Sequence, residues 1–248
     1  MRSFQAGLIN ELLLLMYRKK MIAFLIISAC IPVILALSLH ALQPILGLVA
    51  VSQSFPVQML GMYTAFWIPL FIFVTAADLF PNETASRTLK LALLRPITRF
   101  RVYAAKTAAL VIGIGVLLAV LGAVTLVCGL FAGAAGSGSD WLGTGKAYLA
   151  AFFAMSALAS VFVFFSQFFK SAGSAIIGSI VLYGAAKLAP FFAGSVSVFS
   201  PASYTDWHLL WLSPVVSGSK LAVTSLLLAS GCILFLSLGY SMFDRKEA

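Results

Sequence analysis

Six apolar runs dominate this chain, at roughly 21–41, 58–80, 103–132, 147–169, 172–193 and 219–241. A helix needs about 20 such residues to cross the hydrocarbon of a bilayer, and closed helices are what a bilayer accepts. Composition points the same way. Of 248 residues, 62% are apolar and 9% charged, against about 45–50% and about 25% in an ordinary soluble domain. A soluble fold of this length could not hide that much apolar surface. The expected architecture is an all-α polytopic membrane protein, one transmembrane domain of six spanning helices over 1–248. The third run is long enough to tilt or to extend beyond the hydrocarbon.

Before the first run lies SFQAGLINELLLLMYRKK, with leucines at 12–15 and polar positions at Asn10, Glu11, Arg18, Lys19 and Lys20. This suits an N-terminal helix lying along the membrane surface, polar face to water. It does not have the pattern of a cleaved signal peptide, because LLLLMY ends in RKK rather than in small residues. Pro32 and Pro69 fall inside spans and are expected to distort them. Small residues such as Gly122, Gly129 and Gly133 allow helices to approach closely within one bundle.

Orientation follows from Lys and Arg placement. With both termini on one side, that side receives Arg2, Arg18, Lys19, Lys20, six residues of segment 86–106, Lys170, Arg245 and Lys246. Only Lys146, Lys187 and Lys220 remain for the other. Both termini and the basic loop are therefore expected to be cytoplasmic, in a bacterial plasma (inner) membrane protein. The net charge of +9 sits in gaps between apolar runs, which argues against nucleic acid as a partner. On the outer side, 133–146 has the Gly and Ser of a flexible loop. FSPASYTDWHLLWLSP, within 194–218, is too short to cross and too apolar for a free loop. It suits a re-entrant or interface-lying hairpin with Tyr204, Trp207 and Trp211 at headgroup depth.

Chemistry-bearing motifs are sparse. DWLGTGKA at 140–147 lacks the first Gly and the final Ser or Thr of a phosphate-cradling loop. SGSK at 217–220 has S-x-x-K spacing without its companion motifs. Cys30, Cys128 and Cys232 each sit in an apolar run without metal-ligand spacing, as packing residues do. With two histidines and seven scattered acids, no metal site or catalytic set is expected, and the chain is not an enzyme. An ion-coupled carrier would carry carboxylates near the membrane centre. Instead Asp78 falls at the inner end of the second run, where local pairing is expected. Lys187, toward the outer end of the fifth, either snorkels to the interface or meets an anionic headgroup or substrate carboxylate. It is the one substrate-contact candidate.

The segment SRTLKLALLRPITRFRVYAAK at 86–106 carries six of the sixteen Lys and Arg residues. Good helix formers, Glu83 near a helix start and a stop at Pro96 predict a short helix with apolar teeth and basic rims. Such a helix suits a groove on another protein; a lipid-facing basic patch is the competing reading. The stretch from Glu83 to Lys106 resembles the loop between the second and third spans of type 2 ATP-binding-cassette (ABC) permeases. Glu83, Thr88, Leu93, Leu94, Pro96, Arg99 and Lys106 carry the resemblance, and Arg87 stands where that family often has Gly.

The resemblance implies the membrane subunit of an ATP-driven exporter, half of a translocation pathway. Its partners would be a separate cytoplasmic ABC ATPase dimer and a second permease, either a copy of itself or a sibling. ATP and Mg would be bound by the ATPase and no cofactor by this chain. Glu83, Arg87, Lys90, Leu93, Leu94 and Arg95 would contact the ATPase. Pro96, Arg99 and Lys106 would anchor the loop, the latter two at the headgroup phosphates of membrane lipids. The cargo would be amphipathic, a peptide or lipid-like molecule. The alternative is a membrane scaffold that recruits a cytoplasmic partner and transports nothing.

Overall fold

A computed structural model describes residues 2–46, 55–85, 98–131, 141–193, 201–213 and 215–245, and every long element in it is helical. Helix α1 (Arg2–Tyr17) precedes α2 (Lys19–Leu46), the first span. The second span is composite: α3 (Phe55–Met62), a π-helical turn (Tyr63–Trp67), α4 (Ile68–Leu79) and the short α5 (Pro81–Ala85). Spans three, four and five are α6 (Arg99–Phe131), α7 (Trp141–Ser166) and α8 (Ala172–Ala193). A 3-10 turn (Pro201–Tyr204) and α9 (Trp207–Leu212) lead to the last span, α10 (Gly218–Arg245). The six helices long and apolar enough to cross a membrane coincide with the six apolar runs.

Spans two and four form the centre, each 61% buried, whereas span six is 6% buried. The reason lies in side-chain size. Ala147, Ala150, Ala151, Ala154 and Ala157 line the buried face of α7, letting neighbouring backbones close in where lipid gives no hydrophobic drive. Larger groups from α4 and α6, among them Phe71, Ile72, Leu110 and Ile114, fill the remaining space.

The distortion in span two has a traceable cause. Pro69 has no N–H, so the carbonyl four residues earlier, on Ala65, loses its helical donor. The Ile68 N–H reaches back five residues to the Tyr63 carbonyl, which makes the π turn. Span five supplies the missing donor: the Tyr183 hydroxyl gives its proton to the Ala65 carbonyl at 2.7 Å. On the other side Tyr63 and Trp67 donate to the carbonyl and hydroxyl oxygens of Ser28 in span one, at 3.0 and 2.8 Å. One proline thus makes span two the hub that ties spans one and five together.

Two expectations need correction. Helix α1 does not turn its whole polar face to water. It packs along α6 with Leu15 buried, while Ile9, Leu13, Leu14 and Tyr17 stay exposed and Glu11 turns inward. In the hairpin, Trp207 is enclosed by protein rather than open to the surroundings. Its indole N–H donates to the Thr224 hydroxyl at 3.0 Å, and its ring meets Trp211 edge-on at 5.6 Å. An indole that finds an acceptor inside the protein has no need of the interface.

Candidate functional site

Both chain termini gather at one end of the bundle, here called the terminal end. Arg99, at the start of α6, donates to the Asp244 carbonyl near the end of α10 at 2.5 Å. Nearby, Tyr103 donates to the Leu236 carbonyl at 3.1 Å and Gln167 to the Gly239 carbonyl at 2.8 Å. Gly239 is required there, since a Cβ would stand 2.4 Å from the Tyr103 hydroxyl. Span six, which packs along α7, is fastened to α6 at this end.

The same end holds six ionised groups in a single chain of alternating sign. Glu11 Oε1 meets Lys106 Nζ at 3.0 Å, and Lys106 Nζ meets Glu83 Oε2 at 2.6 Å. Glu83 Oε1 then meets Arg18 Nη2 at 3.3 Å, and Arg18 Nη1 lies 3.6 Å from Asp78 Oδ2. Asp78 ends the chain in a forked contact with Lys20 Nζ at 2.8 and 2.9 Å. Three carboxylates balance three cations. The groups come from α1, the α1–α2 junction, α2, α4, α5 and α6, so the chain laces together every element at the roots of spans one, two and three.

Lys106 is the driest member of this chain, its side chain 1% exposed, Asp78 follows at 6%, and Lys20 at the far end is 57% exposed. A lysine in a dry site needs close carboxylates to remain charged, and Lys106 has two. Its partners flank the loop that leaves α5 after Ala85 and re-enters at Thr98. Glu83 stands at the outgoing root, Lys106 two turns into the returning helix, and Arg99 at its first residue.

The sequence-derived site residues divide accordingly. Arg87, Lys90, Leu93, Leu94, Arg95 and Pro96 lie outside the described residues. Glu83, expected at a partner surface, faces Lys106 and Arg18 within the chain itself. Lys106, expected at lipid phosphates, is enclosed by protein and held by Glu11 and Glu83; this corrects its assignment, because a buried ammonium between two carboxylates cannot also reach a headgroup. Arg99 is engaged with the Asp244 carbonyl. Asp78 pairs locally, as expected. Glu11 and Arg18 were missed as site residues. The available signal was Lys106 inside an apolar run, which demands a carboxylate partner.

Among the described residues of the distal end, two polar side chains stand out. Lys187 donates to the Thr205 hydroxyl, and its ammonium stands 5.9 Å from the Tyr183 ring centroid. His208 on α9 is fully buried opposite Gly61, and among the described residues neither ring nitrogen has a partner at full hydrogen-bond geometry. Burial pushes its pKa below the ordinary value of 6.5, against the opposing pull of the Asp206 carboxylate and the Thr205 carbonyl.

The comparisons with known proteins bear on the whole chain. No curated protein matches it. The profile of the family described as ABC-2 family transporter protein matches residues 8–248, which takes in α1, all six spans and the ion chain at their roots. By that match and by its six membrane-spanning helices, the chain belongs to the ABC-2 family of transporter proteins.

Proposed function

We propose that this chain is the permease subunit of an ATP-driven exporter, coupled to a separate cytoplasmic ATPase dimer and paired with a second permease. The terminal end faces the cytoplasm of a bacterial inner membrane, as the placement of Lys and Arg favours. The observation that carries the reading is the alternating ion chain joining both roots of the loop 86–97 to spans one, two and three. A segment bolted at both ends to buried, mutually neutralised charges cannot shift without moving those spans with it. ATP binding in the partner would draw the loop, and the laced roots would carry that displacement into the bundle.

Within the loop, Arg87, Lys90, Leu93, Leu94 and Arg95 contact the ATPase. Glu83 and Lys106 transmit the push, and Arg99 passes it to the end of span six. ATP and Mg belong to the ATPase. The cargo is amphipathic, peptide or lipid-like, because the spans offer no deep carboxylate for a bare cation. Lys187, already held by Thr205, serves the hairpin rather than the cargo.

The test is purification of the tagged chain from its native membrane. A nucleotide-binding polypeptide with vanadate-sensitive ATP hydrolysis is expected to co-purify, and Leu93→Asp is expected to abolish that association while the permease remains inserted. Association undiminished by Leu93→Asp would overturn the docking role of the loop. ATP-driven export by the reconstituted pair separates the reading from that of a scaffold, which would bind the partner and move nothing.

A further inference from the structure

In the half of the bundle away from the termini, spans three and four stand apart along an apolar groove of about 660 Å³. It follows α6 from Gly115 to Leu126, over the exposed methyl groups of Ala119 and Ala123, and its α7 wall carries Tyr148 and Phe152. The Tyr148 hydroxyl lies 3.0 Å from that of Thr125 and 3.4 Å from the Pro56 carbonyl. Neither partner lines the groove, so the Tyr148 ring presents hydrocarbon to it. Gly122 lets that ring approach, because a Cβ there would stand 3.2 Å from it.

Dimensions decide what fits. From Gly115 to Leu126 the helix rises about 16 Å, close to the roughly 15 Å of one leaflet's hydrocarbon. Spread over that length, the volume is ample for a hydrocarbon chain lying along the two helices. At the mouth, next to the lining residue Gly145, the exposed Lys146 supplies a cation at headgroup level.

We propose that this groove holds one acyl chain of a glycerophospholipid from the distal leaflet, its phosphate drawn to Lys146. The lipid acts as a resident wedge between spans three and four. It packs against the apolar walls that α6 and α7 leave open beside the Thr125–Tyr148 contact. This assignment does not depend on which substrate or ATPase the chain serves.

The test uses the full chain in native membranes with p-benzoylphenylalanine replacing Ala123. After illumination, a mass increase equal to one phospholipid is expected, and adding Ala119→Phe to fill the groove should abolish it. Lys146→Gln should lower the share of phosphatidylglycerol in the adduct when the protein is reconstituted in mixed phosphatidylglycerol and phosphatidylcholine vesicles. A crosslink to another polypeptide would overturn the proposal. So would lipid labelling undiminished by Ala119→Phe in protein shown to be folded by its melting curve.

Discussion

The two ends of the bundle solve the problem of polar groups in a membrane protein in opposite ways. At the terminal end, six formal charges from five helices and the α1–α2 junction neutralise one another in a line, with Lys106 at its driest point. At the distal end, Lys187 leans on a hydroxyl and His208 is buried with no partner at full hydrogen-bond geometry among the described residues. The first arrangement is stiff, because displacing any member exposes a neighbour to an uncompensated buried charge. In the second, Lys187 has one hydrogen bond to a hydroxyl, worth about 1.5–3 kcal/mol, and His208 adds none. A transporter needs both: a root that conveys force without yielding, and an opposite end that yields.

Substitutions at the two ends should therefore differ in size and even in sign. Lys106→Met leaves Glu11 without its cation and Glu83 with Arg18 alone, and should cost about 3–5 kcal/mol. The expected readout is a large fall in the melting temperature of detergent-solubilised protein, mostly recovered when Glu11→Gln and Glu83→Gln are added. If the triple variant were no better than the single one, the loss would come from packing rather than charge. Lys20→Ala removes the most exposed cation and leaves Asp78 with Arg18 at 3.6 Å, so its cost should be smaller than that of Lys106→Met. A Lys20 effect matching that of Lys106 would mean that Arg18 does not compensate Asp78.

At the distal end, His208→Leu removes an imidazole without such a partner and should leave stability unchanged or raised. The sign with pH follows from the lowered folded pKa. Below about 6.5 the unfolded chain binds a proton that the folded one resists, so wild-type stability falls as pH drops through that range. The Leu variant should lack that component, and the gap between the two melting curves should widen from pH 7 to pH 5. A constant gap would mean that His208 is hydrated and free to charge.

The sequence made some of this plain and hid the rest for physical reasons. Spans are legible because length and hydropathy are local properties, and Pro69 announces its own distortion because a missing N–H has a fixed consequence four residues away. Asp78 at the end of an apolar run implies a nearby cation. The partnership of Glu11 with Lys106 is not local, since 95 positions separate them. Nor does the pattern give helix rotation, because a span apolar on every side has no periodic stripe to say which face turns inward. Lys106 was assigned to lipid for that reason: a lysine near a helix end snorkels unless something enclosed claims it, and α1 does the enclosing. The enclosure of Trp207 was hidden likewise, its acceptor Thr224 lying across a turn that hydropathy does not resolve.

The central claim is that the ion chain, and not mere tethering, carries loop motion into the spans. Spin labels at Tyr17→Cys and Val215→Cys, both exposed and at opposite ends, report intramolecular distance in a background without native cysteines. In the complex with its ATPase, adding ATP and vanadate should shift that distance in the parent protein. In Glu83→Gln it should remain fixed while ATP hydrolysis continues, and in the charge-exchanged Glu83→Lys, Lys106→Glu pair it should recover at least in part. A nucleotide-driven shift in Glu83→Gln equal to that of the parent would contradict the account.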